Sequence, residues 1–195
     1  MNRPAEHKPE TILTSAVAVF RDQGVQASTA QIAAAAGVSN GTLFNYFPTK
    51  QDLIDALYIS IKADLARAVG EIDDSLAVEA QTRTVWNRWL SWTLENRDAH
   101  AVMNLLSESG LASDAARVDG LELIKVPMGV LQSAHESGVL VDLPLPYLAT
   151  LVQRQLDLAV IAELNDNQRE VAFHVLWNGI THSPRHTMPM ENHQQ

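Results

Sequence analysis

The residues best suited to contact another molecule lie close together, between Ser28 and Lys50. Their side chains offer hydroxyl, amide and ammonium groups, which can donate hydrogen bonds to phosphate oxygens or pair with the edges of bases. The candidate set is Thr29, Ser39, Asn40, Gly41, Thr42, Phe44, Asn45, Tyr46 and Lys50. No acidic residue occurs from Ala30 to Lys50, so this segment carries no charge that repels an anion. The pattern is typical of a surface that binds nucleic acid.

The same segment predicts two short helices joined by a tight turn. Ser28 and Thr29 begin the first helix, Gly37 provides the turn, and Ser39 is placed to cap the second helix. Pro48 then ends the second helix. In such a helix-turn-helix, the second helix enters the major groove of DNA and the first helix crosses the backbone.

A helical wheel divides the second helix into an apolar side and an exposed side. If Leu43 points inward, Phe47 and Ser39 lie within about 40° of it. The exposed side then carries Gly41, Thr42, Phe44 and Asn45. Asparagine is suited to bidentate contact with adenine, and Tyr46 and Lys50 are suited to hold phosphates.

A purely structural interpretation of this corner stays open beside the functional one. Ser39 is an N-cap whatever else it binds, and a glycine at 41 costs the helix about 1 kcal/mol relative to alanine. That cost favours a partner that approaches the backbone closely, such as a phosphate strand. The residues we assign to the core are Ile32, Ala33, Val38, Leu43 and Phe47.

Composition limits the other chemistries that this chain can perform. Its 195 residues are 46% hydrophobic and include no cysteine, which excludes disulfides and thiolate sites. We find no nucleophile elbow, phosphate-binding glycine loop or zinc-protease motif, so we expect no enzymatic activity, no cofactor and no metal. A metal at His174, His182 and His186 stays open.

No apolar run approaches the roughly 20 residues that span a bilayer, and the polar N-terminus lacks a signal peptide, so we expect a cytoplasmic protein.

The net charge of −9 is unevenly distributed. Residues 1–50 carry four basic and three acidic side chains, a net charge of +1. The remaining residues carry 10 basic and 20 acidic side chains, a net charge of −10. An acidic body joined to a near-neutral head is compatible with DNA binding through the head.

The rest of the chain has helical periodicity and no alternating strand pattern. We expect an all-α fold of about nine helices, with a three-helix head on a helical bundle. After the head, the predicted helices cover 50–73, 75–97, 98–109, 113–137, 145–164 and 166–181. The expected domains are a DNA-binding head over 1–54, a ligand-binding and dimerisation domain over 55–181, and a disordered tail over 182–195.

The predicted body contains bulky side chains that could line a ligand cavity. Packing between helices is the commoner role for them, but helical bundles also enclose apolar pockets. The candidates are Trp86, Trp89, Met103, Leu106, Met128 and Leu131, with Gln155 as a polar anchor. Such a pocket would take an apolar or aromatic small molecule. Arg154, on the same helix as Gln155, is expected to pair with Asp157 or Glu163.

The last two predicted helices are candidates for a subunit interface. The helix over 145–164 is apolar around nearly its whole circumference, which indicates burial on all sides. In a chain of this size, that burial implies cover from a second copy. Together with the helix over 166–181, it would form a four-helix interface in a homodimer.

From Ile12 to Ile54 the sequence resembles the DNA-binding domain of the TetR family of transcriptional regulators. The matching residues are Ile12, Leu13, Ala16, Phe20, Gly24, Thr29, Ile32, Ala33, Ala36, Gly37, Val38, Ser39, Gly41, Thr42, Leu43, Phe44, Tyr46, Phe47, Lys50 and Leu53. The resemblance implies a homodimeric, ligand-responsive regulator, usually a repressor, that binds a palindromic operator. It also implies an all-helical C-terminal domain that binds an inducer and dimerises through its last two helices.

Two positions depart from the usual family pattern. The family often has a basic residue where Asn40 stands and tyrosine where Phe44 stands. Both departures remove a phosphate contact and so lower the charge-driven part of DNA affinity. The alternative function is a small-molecule-binding helical module whose DNA-binding head is weak or vestigial.

Overall fold

The computed structural model describes residues 8–182, and these residues form ten α-helices and one 3-10 turn. The α-helices are α1 (Lys8–Gln23), α2 (Thr29–Ala35), α3 (Asn40–Tyr46), α4 (Lys50–Val69), α5 (Val78–Glu95), α6 (Arg97–Glu108), α7 (Asp114–Leu123), α8 (Lys125–Glu136), α9 (Leu145–Ile161) and α10 (Asp166–Ile180). Within this range, extended pairing is limited to one isolated bridge between Leu140 and Thr181. The all-α prediction is confirmed. The predicted tail over 182–195 lies, apart from His182, outside the described residues.

The helices form two compact units. Of the described residues, the first unit comprises 8–72 together with Asn87–Val126, and the second comprises Asp73–Trp86 and 127–182. The first unit therefore contains the predicted head, all of α4, and also α6 and α7. The predicted division of function near residue 54 falls inside α4 and stays a prediction.

The head has a small core built from residues at helical spacing. Its fully or almost fully buried side chains are Ile12, Ala16, Phe20, Ile32, Ala33 and Leu43. The chain leaves α1 at Gly24, whose positive φ of 56° is a conformation that glycine adopts without strain. Ser28 then caps α2, because its side chain accepts a hydrogen bond from the backbone of Gln31 and the Gln31 side chain accepts one from Ser28. α1 packs against α2 and α6, and α2 packs against α3.

α4 is the longest helix in the described residues, and it ends earlier than the sequence pattern suggests. Its apolar residues recur every three to four positions and are buried, namely Leu53, Ile54, Leu57, Ile61 and Leu65. The helix was expected to reach Asp73, but it ends at Val69. Gly70 follows with a positive φ of 61°, which leaves the helical conformation.

The prediction of one helix over 113–137 is wrong. α7 ends at Leu123, Ile124 leaves the regular helix, and α8 begins at Lys125. Pro127, in the first turn of α8, explains the break. Its ring would clash with the carbonyl of Leu123 in a continuous helix, and it has no N–H for the helical hydrogen bond.

An aromatic cluster forms part of the core of the second unit. The Phe173 ring stacks on Trp177 with 6.2 Å between centroids, and Trp86 lies 6.2 Å away on α5. The Arg83 guanidinium sits 4.3 Å from the centre of the Phe173 ring and forms ion pairs with Glu79 and Glu170. A cation over an aromatic face is favourable, and the two carboxylates balance its charge.

α9 and α10 pack on each other but leave large apolar side chains exposed. Leu148, Leu156 and Ala159 of α9 are buried, whereas Leu158 and Ile161 are 57% and 77% exposed. A single chain therefore does not bury α9 on all sides, and the predicted cover by a second copy stays a prediction. In the described residues, no helix is long and apolar enough to cross a membrane.

Candidate nucleic-acid interface

The α3 helix is fixed at its start by a glycine turn and a serine cap. Gly37 adopts a positive φ of 66°, and Val38 N–H donates back to the carbonyl of Ala33 at 3.0 Å. Ser39 Oγ then accepts a hydrogen bond from Thr42 N–H at 3.0 Å and lies 2.9 Å from the Thr42 hydroxyl. This cap satisfies a backbone donor that would otherwise be exposed at the helix end. It also sets the orientation of the Thr42 side chain.

The two sides of α3 differ as the helical wheel predicts. Leu43 is completely buried and Phe47, just after the helix, is 8% exposed. Phe44 and Tyr46 are each 37% exposed, and Asn45 is exposed between them. Asn40 and Gly41 are also exposed, and Thr42 is half-buried. The predicted orientation of α3 is confirmed at Leu43 and Phe47, whereas Ser39, expected on the same side, is exposed. The contacts of α3 with DNA stay a prediction.

Gly41 has no packing reason to be a glycine. A Cβ built at this position would meet only Ser39 Oγ, at 3.8 Å, which is an ordinary contact distance. The rest of the protein would therefore accept an alanine at this position of α3. The absence of a side chain leaves the exposed backbone of α3 open to close approach from outside.

The start of α4 is less favourable to phosphate than the sequence suggests. Thr49 caps this helix through Asp52, whose carboxylate accepts hydrogen bonds from the Thr49 N–H at 2.9 Å and hydroxyl at 2.8 Å. The carboxylate lies in the first turn, where its negative charge partly cancels the positive end of the helix dipole. Lys50 stands half-buried beside this cap. Thr29, half-buried as the first residue of α2, lies at a helix start without a neighbouring acid.

Polar contacts tie the head and α4 to α6 and α7 within the first unit. Arg21 of α1 donates to Asp98 of α6 at 2.6 Å, and hydrogen bonds to Asp22 and Asp98 raise the pKa of its guanidinium. On α4, the Asp55 carboxylate accepts from Ser113 N–H at 2.9 Å, and Gln51 donates to the carbonyl of Leu111 at 2.8 Å. Sequence reasoning missed these links, because the charged and amide residues involved look like ordinary surface positions.

α4 and α7 also approach each other closely. A Cβ at Gly120 of α7 would lie 2.7 Å from Tyr58 Cε1 and 3.4 Å from Lys62 Cγ, so no side chain fits there unless its neighbours move. Burial at this contact lowers the pKa of Lys62 to about 8. Any shift of α7 must therefore move α4 or open this contact.

The candidate ligand residues are distributed over both units. Trp89, Met103 and Leu106 lie buried in the first unit. Trp86 and Leu131 lie buried in the second unit, with Met128 and Gln155 half-buried there. Their contacts with a ligand stay a prediction. The expected pairing of Arg154 is confirmed with Asp157, at 3.2 Å.

The histidines of the described residues do not form a metal site. No group of three histidine or carboxylate side chains in residues 8–182 is arranged to hold a metal ion. His135 Nε2 lies 3.0 Å from the carbonyl oxygen of Leu143, and His100 is buried edge-on to Trp92. His186, the third member of the candidate cluster, lies outside the described residues.

A sequence model of the family described as "Bacterial regulatory proteins, tetR family" matches residues 12–57, which cover α1 to α3 and the first part of α4. The similarity in sequence to the TetR family therefore lies in the N-terminal domain of this chain. The fold of the whole chain agrees with this. A putative TetR-family regulator from Shewanella sp. PV-4 is 24% identical to this chain, with a TM-score of 0.79. The match covers 90% of this chain and 99% of that regulator.

Two further solved structures give the same result for the fold. A TetR-family transcription regulator from Marinobacter aquaeolei VT8 is 19% identical with a TM-score of 0.80, covering 91% of this chain and 97% of its own. A putative TetR-family regulator from Vibrio parahaemolyticus is 23% identical, with a TM-score of 0.75, and the match covers 90% of this chain and 99% of that regulator. The chain therefore has the fold of TetR-family transcription regulators over nearly its whole length, and α3 is the second helix of a TetR-type helix-turn-helix.

Proposed function

We propose that this protein is a ligand-responsive transcriptional regulator, most simply a repressor, that binds a palindromic operator as a homodimer in the cytoplasm. The observation that carries the proposal is the exposed, acid-free face of α3, held in place by the Ser39 cap. A rigid helix that exposes amide, hydroxyl and aromatic groups is suited to read base edges in a major groove. We propose no catalytic activity for this chain.

Each candidate residue of the head has a proposed contact. Asn45 pairs with adenine, Thr42 reaches a neighbouring base edge, and Phe44 makes an apolar contact in the groove. The hydroxyl of Tyr46 and the ammonium of Lys50 bind phosphates. The remaining proposed backbone contacts are Thr29, Ser39 and Asn40, with Gly41 admitting the strand closely.

The proposed dimer uses the exposed apolar faces of α9 and α10. Tyr147, Leu151, Leu158 and Ile161 recur at three- to seven-residue spacing along α9, and Val171 and Val175 lie one turn apart on α10. Uncovered apolar rows of this kind commonly mark protein interfaces. Two copies related by a twofold axis would cover each other's rows in a four-helix arrangement. A twofold dimer also matches the symmetry of a palindromic operator.

The proposed effector acts through the contacts that tie the head to the rest of the first unit. An effector that shifts α6 or α7 would strain the Arg21–Asp98 and Asp55–Ser113 contacts, and α1 and α4 would follow. The separation of the two α3 helices in the dimer would then change. Linkage requires that the operator weaken effector binding by the same factor as the effector weakens operator binding.

The experiment that tests the proposed function is selection of DNA by the purified protein. Sheared DNA from the source organism is retained by the protein at about 150 mM salt, where non-specific phosphate binding is already weak, and is then sequenced. We expect enrichment of a short inverted repeat whose half-sites lie about 34–36 Å apart. A matched control is the Asn45→Ala variant. A sequence-independent result from the native protein would overturn the proposal, whereas equal enrichment by the variant would remove Asn45 from the proposed base contacts.

A further inference from the structure

Three buried side-chain atoms in residues 8–182 have no hydrogen-bond partner, and all three belong to α5. They are the indole nitrogens of Trp86 and Trp89 and the hydroxyl oxygen of Thr93. Trp86 lies in the second unit, whereas Trp89 and Thr93 both lie in the first. Buried polar groups are nearly always paired in folded proteins, because leaving one unpaired is costly. An unpaired group therefore indicates a partner that residues 8–182 do not supply.

Trp89 and Thr93 lie on the same face of α5. They are four residues apart, which places them about 40° apart around the helix and about 6 Å apart along it. Trp89 is 8% exposed and Thr93 is completely buried. One small group could therefore meet both side chains.

The unpaired hydroxyl of Thr93 is not a general property of threonines in this helix. Thr82 donates to the carbonyl of Val78 at 2.8 Å, and Thr84 donates to the carbonyl of Ala80 at 2.8 Å. Those bonds return the hydroxyl to the preceding turn of the helix, which is the usual solution. Thr93 does not use this solution, so its hydroxyl stays available to an outside partner.

We propose that Trp89 Nε1 and Thr93 Oγ1 form the hydrogen-bonding part of the effector site, and that the effector is a neutral, mainly apolar molecule with a carbonyl oxygen. This inference rests on the proposed function, because it identifies the chemistry of that effector. An indole N–H can only donate, so the ligand must present an acceptor. The hydroxyl can donate to the same oxygen. A carboxylate fits less well, because two neutral donors do not replace the hydration that a buried charge loses.

A buried water molecule is the competing partner for these two groups. Water bridges unpaired buried groups in many proteins, and it needs two or more polar neighbours to do so. A bound water and a carbonyl ligand predict different effects of substituting Thr93, and different relative affinities for the two probe molecules described below. Both consequences can be measured on the full-length protein.

The binding test uses two probes of nearly the same shape, acetophenone and α-methylstyrene, which differ by a carbonyl oxygen in place of a methylene. Binding is followed through the indole N–H signals of ¹⁵N-labelled protein, with the Trp89 signal assigned from the Trp89→Phe variant. We expect acetophenone to bind about tenfold more tightly, as one to two hydrogen bonds imply, and to move the Trp89 signal downfield. We expect Thr93→Val and Trp89→Phe each to bring the ratio of the two dissociation constants close to one. Thr84→Val, which removes a paired hydroxyl, should leave the ratio unchanged.

Thr93→Val also tests the site without any probe, because valine keeps the shape of threonine and removes the hydroxyl. If the hydroxyl is unpaired in the free protein, the variant has a higher melting temperature than the native protein. If a resident water holds the hydroxyl, the variant has a lower one. Equal binding of the two probes, no binding of either, or a lower melting temperature of Thr93→Val would each overturn the inference.

Operator binding by the same samples separates this inference from the proposed function. If the native protein retains an inverted repeat but does not prefer the ketone, the proposed carbonyl-binding site is wrong and the proposed regulator function stands. If the native protein prefers the ketone but retains no specific DNA sequence, the ligand site stands and the proposed regulator function is wrong.

Discussion

α3 and α9 both expose side chains that a single chain does not cover, and the two helices differ in what they expose. α3 presents two amides, a tyrosine hydroxyl, one phenyl ring and a glycine. α9 presents a tyrosine and three aliphatic side chains along one direction. A polar face of the first kind gains by pairing with hydrogen-bonding groups, and an apolar face of the second kind gains by leaving water.

The two helices also differ in how firmly their exposed faces are held. The cap at Ser39 and the turn at Gly37 fix α3 before any partner arrives, so a partner need not order it. α9 begins without a side-chain cap at Pro144, and Leu158 and Ile161 lie at its far end. We therefore expect substitutions on α9 to change assembly and those on α3 to change recognition.

The largest effect is expected from Leu158→Asp combined with Ile161→Asp on α9. Two carboxylates within the proposed apolar interface would have no partners there, and the dimer should dissociate. Operator affinity should then fall on the order of 100-fold or more, because two linked heads bind far more tightly than one. Sedimentation velocity and operator titration measure the two effects. Leu121→Asp, at an exposed leucine of α7, is the matched control and should remain dimeric. A double variant that stays dimeric would remove α9 from the proposed interface.

The next effect concerns the side chain that the proposal assigns to base reading. Asn45→Ala should weaken the operator by about 1–3 kcal/mol, the usual value of a bidentate base contact. Affinity for unrelated DNA should hardly change, so the ratio of specific to non-specific binding falls. Competition titrations at fixed salt measure this ratio. A uniform loss on all DNA would instead assign Asn45 to the phosphate backbone.

The head could be predicted from the sequence because its signals are local. Ser39, Gly37 and the spacing of Leu43 and Phe47 act within one or two helical turns, and the structure has the cap, the turn and the buried side as expected. The break at Pro127 was also a local signal, and the apolar pattern on both sides of it concealed it.

The remaining features depend on residues far apart in the chain. Asp55 meets Ser113, and Gly120 meets Tyr58, only because α7 folds back along α4. The unpaired hydroxyl of Thr93 had no signal at all, since three threonines of α5 look alike in sequence and only the structure separates them. The dimer and the DNA contacts involve molecules outside the chain, so they stay predictions.

For Gly41→Ala, we expect stability and operator binding to change in opposite directions. Alanine should raise the free energy of unfolding by about 0.5–1 kcal/mol, because it favours the helix and its Cβ meets no close neighbour. The same methyl group should weaken operator binding if a DNA strand approaches the α3 backbone closely. Gly129→Ala, in α8 with nothing within 4 Å of the added Cβ, should give the stability gain alone. Thermal unfolding and operator titration of both variants make the comparison. An unchanged operator affinity for Gly41→Ala would mean that the DNA strand does not approach the α3 backbone closely at Gly41.

The smallest effect is expected from Lys50→Ala, at the start of α4. Lys50 offers one phosphate contact, and the Asp52 carboxylate in the same helical turn already opposes part of its charge. Removing the ammonium should weaken all DNA sequences about equally and lower the slope of log affinity against log salt by about 0.9. Lys125→Ala, at the start of α8 in the second unit, makes the same change in net charge and should leave the slope unaltered. If both variants lower the slope equally, the salt dependence comes from net charge and not from a phosphate contact at α4. A head with few basic residues would then depend on the shape and hydrogen bonds of α3 for nearly all of its affinity.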